Sequence, residues 1–222
     1  MKKKIVALVP MRHYSKRIPK KNYRSFNGKP LFYWILKTLS SLDKIDEIYI
    51  NTDSPIIKRE TIKISKKINI INRPKKLCSD KIPMNDILLY DVSRIDADIY
   101  LQTHSTNPLL KKETIERAID TFLKAKNNDS LFSVTKLQSR FWTHNARPIN
   151  HNPKVLLRTQ DLKFIYEENS NIYIFTKENL QRLKTRVGEK PILFEIPKDE
   201  SLDIDEEIDF RIAECISKIN IR

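Results

Sequence analysis

Between Arg12 and Asn22 the chain strings together Arg12, His13, Tyr14, Ser15, Lys16, Arg17, Lys20, Lys21 and Asn22, directly after the apolar run Ile5-Val6-Ala7-Leu8-Val9. Guanidinium and ammonium groups give charge-assisted hydrogen bonds, and hydroxyl and amide groups add neutral ones. Together they are the donor set that holds a polyphosphate. Arg12 and Lys21 are the candidates for neutralising phosphate oxygens, with Ser15, Lys16 and Asn22 beside them. A solvated basic turn is the plain alternative. The position after the first strand favours a ligand, because in open α/β sheets ligands gather beyond the carboxyl ends of the strands.

Three further clusters fall at comparable places. Ser79 and Asp80 precede a segment that Pro83 can open as a helix, so they are either ligand contacts or helix initiators. Gln102 and Thr103 end the run Asp98-Ile99-Tyr100-Leu101 and are expected to face the same crevice as the basic loop. His104 follows them; a lone loop histidine is more often a hydrogen-bonding surface group, so it is not counted as catalytic. Near the carboxyl end stands Asp203-Ile204-Asp205. Residues two apart on an extended segment face one way, which sets both carboxylates on one side, an arrangement suited to magnesium. The competing account is a helix-capping box between Asp203 and Glu206.

The elements that must carry these groups read as alternating β-branched and amphipathic runs. Strands are expected near 4–9, 47–51, 68–72, 98–102, 130–135, 163–166, 171–175 and 192–196. Helices are expected from Pro30 onward and near 55–67, 83–93, 111–126, 177–184 and 205–219. This order predicts an α/β fold: one doubly wound, mostly parallel sheet with helices on both faces, in a single domain over 1–222. In the last helix Ile208, Ile212, Cys215, Ile216 and Ile219 recur at spacings of three and four and predict its buried face. The segment 136–166 breaks the alternation and reads as an excursion over the site or toward a partner subunit, with Phe141 and Trp142 as apolar surface.

The chain has 222 residues, 40% of them apolar and 32% charged, the composition of an ordinary globular domain. Its formal net charge of +14 favours anionic ligands, a class that includes nucleic acid and membrane surfaces as well as phosphorylated small molecules. With only two glycines, Gly28 and Gly188, a glycine-rich phosphate loop is excluded, so side chains must share that task. The two cysteines, Cys78 and Cys215, have no metal or redox spacing and suit a reducing cytoplasm. The amino-terminal apolar run is too short for a secretory leader or a membrane span. A nucleic-acid binder would need aromatic residues threaded through its basic stretches; Tyr14 and Tyr23 alone offer that, and no binding motif accompanies them.

Taken together, the four clusters resemble the cytidylyltransferases that activate sialic acids and related keto-sugar acids, the CMP-sialic acid and CMP-Kdo synthetases. The family's amino-terminal Ala-Arg-x-Gly/Asn-Ser-Lys pattern, followed shortly by Lys-Asn, is matched by Arg12, Ser15, Lys16, Lys21 and Asn22. Gln102 to Leu109 resembles its Gln-Pro-Thr-Ser-Pro-Leu segment with one insertion, and Asp203-Ile204-Asp205 its Asp-Ile-Asp. The resemblance implies a Rossmann-like nucleotidyltransferase that is a cytoplasmic homodimer. It would transfer CMP from CTP to an acidic sugar with magnesium as cofactor, releasing pyrophosphate. Arg12, Lys21 and Asp205 would be catalytic, and Arg12, Ser15, Lys16, Lys21, Asn22, Ser79 and Asp80 would hold CTP. Gln102, Thr103, Arg140 and Asn169 would hold the acceptor, and Asp203 and Asp205 the metal. Glu167 stands where the family carries an arginine that grips the sugar carboxylate. Either Arg140, Arg158 or Lys163 takes over that grip, or the acceptor is another acid such as a phosphonate.

Overall fold

In the computed structural model, which describes residues 2–220, β1 (Ile5–Leu8) lies between β4 (Glu47–Thr52) and β6 (Ile99–Gln102), parallel to both. The sheet extends through β5 (Ile68–Asn72) on one side and β8 (Ile165–Phe175), β7 (Ser130–Leu137) and β9 (Pro191–Glu195) on the other, in the order β5-β4-β1-β6-β8-β7-β9. β8 runs antiparallel to both of its neighbours, and the remaining pairs are parallel. The strand order reverses at β1 and β6, which places the crevice of the doubly wound sheet beyond their carboxyl ends.

Alternation along β1 divides the core. Ile5, Ala7 and Val9 face α1 (Leu31–Ser40), α2 (Pro55–Thr61) and α4 (Lys112–Lys124) through Phe32, Ile35, Ile57, Ile115 and Ile119. Val6 and Leu8 face α3 (Met84–Val92) and α5 (Lys177–Leu183) through Leu88, Val92 and Leu180. These runs fold as a strand because both faces are covered, so apolar residues are required at every position. Pro30 and Pro83 sit one position earlier than expected, as the caps before α1 and α3, with extended ψ. A short hairpin, β2 (Ser25–Phe26) with β3 (Lys29–Pro30), turns through Asn27 and Gly28, both at positive φ as a two-residue hairpin demands.

Three expectations change. The strands expected at 163–166 and 171–175 are one continuous strand, β8, kinked at Ser170, whose φ is 58°. The polar Glu167-Glu168-Asn169-Ser170 stretch continues the ladder because Glu167 and Glu168 pair with Thr135 and Val134. The last helix, α6 (Glu207–Asn220), packs through Phe210 and Ala213 against Ile18, Phe26, Leu31 and Ile204, while Ile208, Ile212 and Ile219 are exposed. The edge-on contact of Phe210 with Phe26 and the stacking of the Arg24 guanidinium on the Phe210 ring fix that orientation, and periodicity could not foresee either. The excursion expected over 136–166 is shorter: 138–164 connects β7 to β8 outside the sheet, with Trp142, Leu156 and Phe164 exposed, while Lys136 and Leu137 pair with Tyr166 and Ile165 in the ladder. Among the described residues no helix is long and apolar enough to cross a membrane.

Candidate active site

Beyond the carboxyl ends of β1 and β6 lies a cleft of about 390 Å³, lined by Arg12, Ser15, Arg17, Lys21, Asn22, Arg73, Ser79, Asp80, His104, Ser105, Thr106, Ser170, Arg186, Asp203 and Asp205, together with apolar Pro10, Ile82, Met84 and Ile87. The basic loop and the acidic pair, more than 180 positions apart in the chain, meet here. Lys21 Nζ donates to the Ile204 carbonyl at 2.7 Å and to Asp205 Oδ1 at 3.3 Å, and Arg17 Nη2 donates to the same carboxylate oxygen at 2.6 Å.

The loop holds its shape through Asn22. Its amide donates to the Arg12 carbonyl at 2.7 Å, and its oxygen accepts from Ser105 Oγ at 2.7 Å, which ties the turn after β1 to the turn after β6. Lys16 is exposed and pairs with Asp80 at 2.5 Å, at the rim of a smaller adjoining hollow lined also by Arg12 and Tyr14. That pairing holds the Asp80 carboxyl below the ordinary carboxylate range.

Asp203 and Asp205 differ in environment. Asp205 faces two cations, whereas Asp203 has no cation within 4.0 Å among the described residues, and burial raises its pKa above the ordinary value. The capping box expected between Asp203 and Glu206 does not form. Asp209 caps α6 instead, accepting from the Asp205 and Glu206 amides at 3.0 and 2.7 Å, which leaves both Asp203 and Asp205 on the cleft. Among the described residues no group of three or more acidic, histidine or cysteine side chains could cage a metal alone. Two carboxylates, one desolvated and without a countercation, do fit a hard ion that takes its remaining oxygens from phosphates and water.

The acceptor-side residues fall differently. Gln102 and Thr103 are fully buried and do not line the cleft; the Thr103 amide still belongs to the ladder, donating to the Leu8 carbonyl. His104 lines it instead, one step beyond the strand end. Burial, reinforced by Arg186 and Lys21, pushes its imidazole down to about 3, so the ring is neutral at physiological pH. Asn169 is buried between Ser133 and Thr135, which it joins by hydrogen bonds, at the irregularity beside Ser170 where the register between β7 and β8 shifts. Arg140 lies in the excursion and donates to the Leu157 carbonyl, and Arg158 pairs with Asp161. Neither these nor Lys163 nor Glu167 lines the cleft.

Two cleft arginines were not anticipated. Arg73 follows β5, so the strand-end rule that selected Arg12 selects it as well. It is buried, donating Nε to Asn51 Oδ1 at 2.6 Å and Nη2 to the Asn51 carbonyl at 2.9 Å, while Asn51 Nδ2 donates to the buried Asp91. Arg186, between α5 and β9, has no signal in the sequence. Arg12, Arg73 and Arg186 have no carboxylate within 4.0 Å among the described residues, so the cleft holds uncompensated positive charge beside a carboxylate pair. It is built to take an anion together with a cation.

Comparison with known proteins agrees with that chemistry. A family model described as cytidylyltransferase matches residues 6–217. The N-acylneuraminate cytidylyltransferase A of Danio rerio is 26% identical over 95% of this chain and 50% of its own length, so the chain spans about half of that relative. The CMP-N,N'-diacetyllegionaminic acid synthase of Legionella pneumophila is 29% identical over 98% of this chain and 97% of its own. The pseudaminic acid cytidylyltransferase of Campylobacter jejuni is 24% identical over 98% and 97%. In fold, a CMP:2-keto-3-deoxy-manno-octonic acid synthetase complexed with CTP superposes with a TM-score of 0.69 at 15% identity, covering 98% of this chain and 99% of the other. This chain belongs to the cytidylyltransferase family.

Proposed function

We propose that the chain is a magnesium-dependent cytidylyltransferase that transfers CMP from CTP to a sialic-acid-like or other keto-sugar acid and releases pyrophosphate. The observation that carries this is the convergence of the Arg12–Asn22 loop and the Asp203/Asp205 pair on one cleft, joined through Lys21 and Asp205. An acceptor oxygen attacks the α-phosphorus of CTP, its bond to phosphorus forms as the bond to the β-phosphate oxygen breaks, and the acceptor's hydroxyl proton passes to water. Phosphoryl transfer asks a protein mainly to position groups and neutralise charge. Arg12, Lys21 and Arg73 face the phosphates, while Ser15, Ser79 and Asp80 bound the nucleotide and Asn22 holds the loop rigid. Asp203 and Asp205 would hold magnesium, which when bound neutralises phosphate charge and makes pyrophosphate a better leaving group. His104, neutral and far below the usual imidazole range, is a poor base and serves as a hydrogen-bonding wall.

The reading extends to a homodimer and a cytoplasmic location. The first is supported by apolar side chains exposed on the excursion, of which Leu156 is 89% exposed; the second is supported by the unpaired Cys78 and Cys215. A mass-spectrometric screen with CTP, magnesium and N-acylneuraminic, pseudaminic and diacetyllegionaminic acids is expected to yield one CMP-acid and pyrophosphate. Absence of any product, or equal turnover of all four nucleoside triphosphates, would overturn the reading. Light scattering that gives a monomer would remove the dimer alone.

A further inference from the structure

The cations of the cleft are divided between its two banks. Arg12 and Arg73 follow β1 and β5, whereas Arg186 is held on the far side of β6. Its carbon Cζ stacks 3.4 Å from the centre of the Tyr173 ring on β8, its Nη1 donates to Gln102 Oε1 at the end of β6 at 2.6 Å, and its backbone amide donates to Asn85 Oδ1 on α3 at 3.2 Å. Three elements thus fix a guanidinium whose Nε and Nη2 make no well-aligned hydrogen bond among the described residues, with the Tyr173 hydroxyl beside it. Its cradle is fixed in turn: Tyr173 donates its hydroxyl to Glu168, and Gln102 donates Nε2 to the Thr103 carbonyl at 3.1 Å. Burial lowers the Arg186 pKa from the ordinary arginine value, and Glu168, whose charge acts in the opposite direction, stays beyond 4.0 Å and does not pair with it.

A desolvated guanidinium with two parallel donors unspent on the protein is a fork shaped for a planar, two-oxygen anion. Triphosphate charge is already met on the other bank by Arg12, Lys21 and Arg73. From β1 to β8 the anchors lie two strand spacings apart, about 10 Å, which leaves room for a second ligand group beside the nucleotide. We propose that Arg186, cradled by Gln102 and Tyr173, binds the carboxylate of the acceptor acid and sets the enzyme's preference for a free acid. This takes the place of the grip for which Arg140, Arg158 and Lys163 were candidates, at a cleft that Glu167 does not line. The inference rests on the function proposed above.

The test compares wild type, R186K and R186Q with the best acid of the panel and with its C1 methyl ester. R186Q is expected to lose on the order of 10²-fold in kcat/KM for the acid, mostly through acceptor KM, with the KM for CTP unchanged. Its preference for acid over ester should vanish, and R186K, which keeps charge without the fork, should fall between. An unchanged acid-to-ester ratio in R186Q, or a rise in CTP KM in place of acceptor KM, would overturn the assignment. If the wild type forms no CMP-acid at all, it is the functional reading that fails, and the assignment falls with it. CTP binding by R186Q, followed calorimetrically, reports that its fold is intact.

Discussion

The two banks of the cleft are built in opposite ways. On the bank formed by β5, β4 and β1, every strand is parallel and each charged group arrives in the loop right after its strand: Arg12 after β1, Arg73 after β5. On the bank formed by β6 and β8, the strands are antiparallel, so the carboxyl end of β8 points away from the cleft. Its contributions come from the middle of the strand, through the kink at Ser170, and from the loop after the next helix, through Arg186. A parallel sheet collects its loops on one edge by topology alone. An antiparallel strand has to bend, or borrow a side chain from elsewhere, to reach the same place.

The sharpest way to break this comparison is at its parallel bank. Lys21→Ala removes the cation that joins the basic loop to the acidic segment, and is expected to lower kcat/KM by about 10²–10³-fold. The thermal midpoint should fall only modestly, through loss of the Lys21 hydrogen bond to the Ile204 carbonyl. If turnover survives this change, the loop after β1 is a solvated basic turn and the two banks do not share a catalytic task.

The next effect is in stability and depends on pH. Asp91 is buried beneath the parallel bank and raised to about 7 by desolvation, against an ordinary value of 3.8. A carboxyl raised on folding contributes stability that is fully present below pH 3.8 and is lost as pH climbs through about 7. Asp91→Asn keeps an oxygen to accept from Asn51 and removes the charge. The variant should match wild type near pH 4 and exceed it by on the order of 3 kcal/mol at pH 8, as read from denaturant unfolding at both pH values. A difference that does not vary with pH would show that the Asn51–Asp91 support of Arg73 is charged in the folded protein.

These two sites also show what the sequence could and could not disclose. The basic loop, the strand-end polar string and the acidic pair are local patterns, each set next to an element whose periodicity is clear, so their convergence follows from the parallel topology. Arg73 was open to the same rule, but Ile71-Asn72-Arg73 looks like any polar strand exit. Arg186 could not be found this way: its value lies in stacking on Tyr173 and bonding to Gln102, contacts that join three distant segments. The placement of Gln102 and Thr103 failed for a related reason: the Thr103 amide still belongs to the ladder and both residues are fully buried, so the cleft begins one step later, at His104. The helix α6 misled by its own regularity: its isoleucines repeat well, but a single aromatic contact at Phe210 decides which face is buried.

A smaller change tests the tie between the banks. Asn22→Ala removes the bridge from the Arg12 carbonyl to Ser105 and leaves that buried hydroxyl without its acceptor, at a cost of about 1–3 kcal/mol in unfolding free energy. Activity should fall as well, through poorer positioning of Arg12, with CTP KM rising more than acceptor KM. Equal rises in both would mean that the brace serves the whole cleft and that the banks are not separable.

The gentlest probe lies on the antiparallel bank. Lys184 ends α5 in the left-handed region, with φ of 57°, and its amide donates to the Leu180 carbonyl. Glycine adopts that conformation without the steric cost that a side chain incurs, so Lys184→Gly is expected to raise stability by about 1 kcal/mol, less the extra freedom glycine gives the unfolded chain. Arg186 lies two residues on and is held by Asn85, Gln102 and Tyr173, so acceptor KM should stay where it is. A rise in acceptor KM in this more stable variant would mean that the turn after α5, and not the cradle, aims the guanidinium. The far bank would then depend on backbone placement as the near bank does.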